Sequence, residues 1–270
     1  MSKVEKKILV ALDFDHTIIN ENSDTFVYQL APDKVIPPAL KALYRKDGWT
    51  HYMCEVFKFL HANSVTPDQI LSCVQNTTLT EGMEELFTSL PAQDTDFIII
   101  SDSNTVFINH ILKTKGLYKF FHSVFTNHAE FEKNGCLSVR MYHKQDKCDL
   151  STINLCKGDI LTKFVEERSS NAVEYSRIAY VGDGYNDFCP SLRLLGCDAV
   201  FPRLNYNLIK TIPQMEKERD LQLKANVHPW ASGREILDTL LPWYKQLKDL
   251  AIPSPRLYDP GTISKTSAKI

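Results

Sequence analysis

Three short apolar runs in this chain each stop at a polar cluster, and that coincidence constrains the fold more than any other feature. Ile8-Leu9-Val10-Ala11-Leu12 runs into Asp13-Phe14-Asp15, and Phe97-Ile98-Ile99-Ile100 runs into Ser101-Asp102. Ile178-Ala179-Tyr180-Val181 runs into Gly182-Asp183-Gly184-Tyr185-Asn186-Asp187. Unbroken apolar runs of this length read as strands covered on both faces, as in the interior of a parallel sheet. Between and after them the apolar residues fall at helical spacing: Tyr52, Val56, Phe57 and Leu60; Ile70, Leu71 and Val74; Val106, Ile108, Ile111 and Leu112; Ile160, Leu161, Phe164 and Val165. Thr66-Pro67-Asp68 reads as a helix start, with Thr66 as the cap and Pro67 at the first helical position. A strand pair is expected near 123–126 and 136–142 around an Asn134-Gly135 turn, and a further strand at Ala199-Val200-Phe201.

Strands alternating with helices predict an α/β fold with a Rossmann-like, doubly wound, mostly parallel sheet. Ligand sites in such sheets lie at the carboxyl ends of the strands, where these three clusters sit. The helical block between the first two clusters then reads as an insertion over the site. The expected division is a catalytic core of 1–20 plus 92–250, a helical cap of 21–91, and a disordered tail of 251–270 rich in Pro, Ser, Thr and Lys.

A formal net charge of −2 argues against a nucleic-acid or membrane-surface partner. The first apolar run is cut at Asp13, too early for a secretory signal or a membrane span. The seven cysteines are odd in number and form no dense framework, so reduced thiols and a cytoplasmic location are expected.

Asp13 and Asp15, two positions apart at a strand end, would crowd their charges, which is costly without a cation or a shared proton. A metal site, an acid/base pair, or both follow from this. Asp13 is a candidate nucleophile toward phosphorus, and Asp15 a candidate acid and base for the leaving oxygen and the hydrolytic water. A divalent cation, with Mg2+ suited to carboxylate, carbonyl and water ligands, would offset the repulsion. Asp183, flanked by glycines that would let backbone and metal approach closely, is the expected second side-chain ligand. Asp187 is expected beside it, as a ligand or as an acceptor just behind the ligands. Ser101 could donate to a phosphoryl oxygen, and Lys157 could neutralise the phosphoryl group and the nucleophile. His143, Cys148 and Cys156, with Cys136 as a fourth ligand, are a candidate zinc set, against which reduced thiols in a loop or core are preferred.

This ordered set resembles the haloacid dehalogenase superfamily: Asp13-Phe14-Asp15-His16-Thr17-Ile18, Ser101 after an apolar strand, Lys157, and Gly182-Asp183-Gly184-Tyr185-Asn186-Asp187. The resemblance implies that a metal would sit on Asp13, the Asp15 backbone carbonyl and Asp183. Dehalogenases of the superfamily lack the second aspartate, and its transport ATPases carry Asp-Lys-Thr-Gly-Thr, so a phosphatase is implied here. A finer resemblance, to the PHOSPHO family of small-molecule phosphatases, rests on Asn22-Ser23-Asp24-Thr25, Tyr44-Arg45-Lys46 with Trp49-Thr50, Val56-Phe57-Lys58-Phe59-Leu60, Ser101-Asp102-Ser103-Asn104, Phe125-Thr126-Asn127, Asn154-Leu155-Cys156-Lys157 and Cys189-Pro190.

That family implies a small-molecule phosphate ester as substrate, pyridoxal 5′-phosphate foremost, with phosphoethanolamine, phosphocholine or pyrophosphate as alternatives. It also implies substrate contacts at Asp24 and Asp102. One segment departs from it. Where family members usually carry a His-rich, Cys-x-x-Cys-Pro cluster before the lysine, this chain reads Tyr142-His143-Lys144-Gln145-Asp146-Lys147-Cys148-Asp149-Leu150-Ser151. A catalytically silent phosphometabolite-binding protein is the alternative outside catalysis.

Overall fold

The computed structural model describes residues 4–44 and 48–247, so Arg45 and Lys46 and the expected tail of 251–270 lie outside the described residues. Strand β1 (Glu5–Leu12) is followed by helices α1 (Ser23–Phe26), α2 (Pro38–Lys41), α3 (Trp49–Ala62), α4 (Pro67–Val74) and α5 (Met83–Ser89). Then come β2 (Thr95–Asn104), α6 (Thr105–Thr114), and the strand pair β3 (Phe121–Phe131) and β4 (Leu137–Arg140). Helix α7 (Lys157–Ser170), β5 (Val173–Gly182), α8 (Phe188–Ser191), β6 (Ala199–Pro202), α9 (Asn207–Arg219), β7 (Asn226–Val227) and α10 (Gly233–Leu247) complete the order.

The strands form one seven-stranded sheet in the order β4-β3-β2-β1-β5-β6-β7, parallel except for the β3–β4 hairpin. The chain builds outward from β1 to one side through β2, β3 and β4, then returns to β1 and builds to the other side. The reversal falls between β1 and β5, which makes their carboxyl ends the switch point where a crevice opens. The expected doubly wound sheet is therefore present. Strand β2 runs further than expected: Ser101-Asp102-Ser103-Asn104 continues the strand rather than leaving it.

Alternation along the strands divides the core into two layers. Ile8, Val10 and Leu12, with Phe97, Ile99 and Val181, face the layer that includes α3, α4, α5, α6 and α10. Leu9 and Ala11, with Ile98, Ile100, Ile178 and Tyr180, face the layer of α7, α8 and α9. Both sides of the central strands are fully covered, which is why their sequences are continuous apolar runs rather than alternating ones.

Helix α4 starts as its sequence requires: the Thr66 side chain accepts from Gln69 N, and the Gln69 side chain accepts from Thr66 N. The segment between β1 and β2 is tied together at its base. Asn20 N donates to Thr78 O, Thr80 N donates to Ile18 O, and the Glu21 carboxylate accepts from both Thr78 N and Thr78 Oγ1. Above that base, Phe57 of α3 packs edge-on against Phe107 of α6 at 5.7 Å between ring centroids. Below it, Phe87 of α5 meets Phe97 and Phe121 of the sheet at 5.2 and 5.1 Å.

At the opposite end of the sheet from the polar clusters, Asp96 accepts from Lys7 Nζ, Arg168 Nη2 and Tyr175 Oη. Burial alone would raise the Asp96 pKa, but the Tyr175 hydrogen bond and the two cations outweigh it and hold it below the ordinary value. A carboxylate with a depressed folded pKa contributes stability above its unfolded pKa and loses it as pH falls through the folded one. Asp96→Asn should therefore lower the unfolding free energy by about 2 kcal/mol at pH 7. Denaturant titrations of both proteins should show that gap closing as the pH drops below about 4.

Candidate active site

The carboxyl ends of β1, β2 and β5 converge with the amino end of α7. Asp13 follows β1 directly, and its backbone is pinned to β5 by a bond from Asp13 N to Val181 O. Its Oδ1 accepts from Phe14 N at 2.7 Å, and its Oδ2 lies 2.8 Å from Lys157 Nζ. Lys157 is the first residue of α7 and is 1% exposed. The same ammonium reaches Asp187 Oδ1 at 2.8 Å. Burial alone would lower the Lys157 pKa, but Asp13 and Asp187 raise it well above the ordinary value, so the group is a permanent cation.

Asp187 is fully used by donors. Its Oδ1 accepts from Lys157 and from Tyr180 Oη at 2.7 Å, and its Oδ2 from Asp183 N at 3.0 Å and Gly184 N at 2.8 Å. This corrects the sequence reading of the flanking glycines. A Cβ on Gly182 would collide with the Asp187 carboxylate, and one on Gly184 would meet Asn186 Oδ1 at 2.5 Å. The glycines make room for these side chains to fold back under the loop, rather than for a cation to approach the backbone. Asp187 thus holds the lysine and the loop in place, from just behind the cluster.

Asp183 has a different environment. It is buried, and the bond made by its carboxylate is a long one, from Thr17 Oγ1 at 3.5 Å. Burial raises its pKa first, and the charges of Asp13 and Asp187 raise it further, to about 9. Burial likewise lifts Asp13 to about 7 against the opposing pull of Lys157. Oxygen atoms of Asp13, Asp183 and Asp187 lie within 4.8 Å of one another. Lys157 alone among these side chains offsets their charge, and Asp183 has almost no donors of its own. That donor-poor, oxygen-only corner suits a hard divalent cation such as Mg2+, with Asp13 and Asp183 as the side chains able to hold it.

Asp15 accepts from Ser23 N at 2.9 Å. Burial, then the neighbouring charge of Asp24, raises its pKa to about 7. Ser101 is buried, and its Oγ accepts from Ser103 N at 3.2 Å, which leaves its O–H to donate. The residues expected at the site are therefore brought together: Asp13, Asp15, Asp24, Ser101, Asp102 and Asp183 all line one cavity of about 150 Å3, with Lys157 and Asp187 as its floor.

Asp24 and Asp102 are both already bonded to the protein. Trp49 Nε1 donates to Asp24 Oδ2 at 2.8 Å and Asn104 Nδ2 to its Oδ1 at 3.2 Å. Burial raises the Asp24 pKa to about 6. Asp102 accepts from Asn154 Nδ2 at 2.7 Å, from Thr152 Oγ1 at 3.3 Å and from Asn186 Nδ2. Sequence reasoning assigned no role to Asn104, Thr152 or Asn186, because each acts across the chain through a partner no local pattern reveals. Trp49, quoted only within the family resemblance, lines the cavity alongside Asn22 and Ser103.

The candidate zinc set is not assembled as expected. His143 Nε2 accepts from Cys156 N at 3.1 Å, and Cys136 lies beside Cys54, His51 and His61 at the outer end of the β3–β4 hairpin. The thiols that do meet are those of Cys148, Cys156 and Cys189. The hairpin carries Cys136 away from the loop before α7, while α8 delivers Cys189 to it.

A family model described as "Putative Phosphatase" matches residues 8–244. Pyridoxal phosphate phosphatase PHOSPHO2 of Homo sapiens is 41% identical over 236 residues, covering 87% of this chain and 97% of that protein. The Mus musculus PHOSPHO2 is 39% identical over the same shares. Phosphoethanolamine/phosphocholine phosphatase of Gallus gallus is 36% identical over 232 residues, 85% of this chain and 86% of that one. Among solved structures, a phosphoserine phosphatase in apo form superposes with a TM-score of 0.56 at 18% identity, over 86% of this chain and 98% of that chain. A phospho-aspartyl intermediate analogue of phosphoserine phosphatase gives 0.54 at 17% identity, over 87% and 99%. At such identities these structures bear on the fold alone. Among the described residues no helix is long and apolar enough to cross a membrane.

A carboxyl group whose folded pKa is raised opposes folding once it ionises, and the penalty grows from its unfolded pKa up to its folded one. Asp183→Asn should therefore stabilise the metal-free protein, on the order of 2 kcal/mol at pH 7, and by more at pH 8 than at pH 5. It should also abolish the rise in thermal midpoint expected of the wild type on adding Mg2+. Thermal unfolding with Mg2+ and with a chelator reads both effects.

Proposed function

The chain belongs to the family described as "Putative Phosphatase", and from that premise we propose that it is a Mg2+-dependent phosphomonoesterase of the haloacid dehalogenase type, using Asp13 as nucleophile. Its substrate is a small phosphorylated metabolite, pyridoxal 5′-phosphate first. The observation that carries the reading is the Lys157 ammonium shared between Asp13 and Asp187, with the donor-poor Asp183 beside them at the switch point of the sheet.

In this reading the Asp13 carboxylate attacks phosphorus, and the bond between phosphorus and the leaving oxygen breaks. Asp15, whose pKa of about 7 keeps part of it protonated at neutral pH, passes its proton to that oxygen. The resulting aspartyl-phosphate is hydrolysed by water, whose proton returns to Asp15. Ser101 donates its O–H to a phosphoryl oxygen, and Lys157 keeps Asp13 oriented while offsetting the negative charge. A Mg2+ held by Asp13, Asp183 and the Asp15 carbonyl would supply charge neutralisation between the phosphoryl group and the nucleophile. Residues 21–91 act as the cap, contributing Asn22, Asp24 and Trp49 to the cavity.

Pyridoxal 5′-phosphate leads because the Mus musculus and Homo sapiens relatives, at 39% and 41% identity, carry that activity in their names. The second reading is phosphoethanolamine or phosphocholine, the named substrates of a relative at 36%. The wall formed by Asp24 and Asp102 favours a leaving group with a cationic or hydrogen-donating nitrogen in either case, since a purely anionic one would face carboxylates.

Phosphate release from these esters and from pyrophosphate, compared side by side with Mg2+ and with a chelator, should show pyridoxal 5′-phosphate turned over best. Asp13→Asn should lower kcat about 10⁴-fold or more while the thermal midpoint is kept. Asp15→Asn should lower it about 10²–10⁴-fold. Turnover retained by Asp13→Asn would overturn the mechanism, and a preference for another ester would overturn the substrate assignment alone.

A further inference from the structure

Beside the carboxylate cluster, on the side of the sheet that packs α7 and α8, three thiols converge. Cys148 Sγ lies 3.4 Å from Cys189 Sγ, and Cys156 Sγ lies 3.8 Å from it. All three sulfurs fall within 4.8 Å of one another. Cys156 and Cys189 are buried, Cys148 is half-buried, and none is in a disulfide. They come from separate places: Cys148 from the loop before α7, Cys156 from the residue that precedes that helix, and Cys189 from α8.

Four thiolates at about 2.3 Å from a tetrahedral cation would stand about 3.8 Å apart, and the two closest sulfur separations here are near that edge. The packing is built around this contact. Gly158, in the first turn of α7, has a backbone any residue could adopt, yet a Cβ there would lie 2.7 Å from Cys189 Sγ. The glycine is needed for the sulfur to reach its neighbours. The fourth corner is marked as well: Ser151 Oγ sits 3.4 Å from Cys148 Sγ and 3.3 Å from Cys156 Sγ. A surface cavity of about 350 Å3, lined by Cys148, Ser151 and Tyr185 among others, opens the cluster to solvent on that side.

We propose that Cys148, Cys156 and Cys189 form a second cation site, a three-sulfur site for Zn2+ whose fourth position is held by Ser151 Oγ or a water. Binding forms three Zn–S bonds, and the S–H protons of Cys148, Cys156 and Cys189 leave to solvent. The site is separate from the oxygen-only corner of Asp13 and Asp183, and ligand chemistry sorts the two cations between them. Its role is positional. Cys156 adjoins Lys157, Cys189 lies two residues beyond Asp187, and the loop from Cys148 carries Thr152 and Asn154 to Asp102. One bound cation would therefore fasten three segments that set the Lys157–Asp187 pair and the orientation of Asp102.

The test is a Co2+ titration of the reduced, chelator-treated full-length protein, followed by displacement with Zn2+. A sulfur-to-cobalt charge-transfer band should grow to one equivalent, vanish on adding Zn2+, and persist in Asp183→Asn, where the oxygen site is disabled. Cys148→Ser, at the half-buried position on the loop, should weaken Co2+ binding about 100-fold or more, and Ser151→Cys should tighten it about 10-fold or more. Zn2+ should also protect these three thiols from a thiol reagent. The proposal is overturned if the wild type shows no charge-transfer band, if the band survives Cys148→Ser unchanged, or if Zn2+ leaves all three thiols reactive.

Discussion

The site depends on one ammonium group. Lys157 Nζ sits 2.8 Å from a carboxylate oxygen of Asp13 and 2.8 Å from one of Asp187, and it is sealed from solvent. A lone buried ammonium would be strongly disfavoured, and so would either carboxylate by itself. Together they hold the end of β1, the start of α7 and the turn after β5 at one point. Asp187 extends that hold with its other oxygen, which binds the backbone of Asp183 and Gly184. Two carboxylates of the same motif thus behave oppositely. Asp187 is saturated with donors and gives structure, whereas Asp183 has one long donor and offers a carboxylate suited to a cation.

Much of this was legible in the sequence because it depends on contiguous residues. A strand covered on both faces needs an apolar run, and a reacting group at its carboxyl end needs the residue that follows. Asp13 and Asp183 are therefore visible as strand endings, Ser101 as the polar residue that closes an apolar run, and Thr66-Pro67 as a helix start. What stayed hidden depends on contacts across long stretches of chain. The extension of β2 through Asn104 is set by pairing with Asn127 of β3, not by local preference. Helices α9 and α10 carry Pro213 and Pro242 within them, which argues against helix locally but is tolerated by packing. The glycines around Asp183 were readable as a close approach, but the side chain that approaches them comes from Asp187, a few residues further on.

The wall opposite Asp13 has a related character. Asp24 and Asp102 are both carboxylates facing the cavity, yet each is oriented by amide or indole donors before any ligand arrives. Those donors, Trp49, Asn104, Asn154 and Asn186, come from α3, β2, the loop before α7 and the turn after β5. In the proposed reaction, discrimination among leaving groups is consequently spread over four segments. The proposed phosphoryl chemistry, by contrast, rests on the strand ends, so the two could change independently.

The pairing of Ile18 and Asn20 with Thr78 and Thr80 at the base of the helical segment has a consequence for chain topology. The sheet experiences everything between those residues as a loop whose ends are already stapled, and the entropy of closing a loop grows only slowly with its length. The intervening helices can thus be lengthened, shortened or exchanged without stretching β1 away from β2. In that sense they are a cassette, and grafting a different one onto this neck is a route to a new specificity on an unchanged hydrolytic platform.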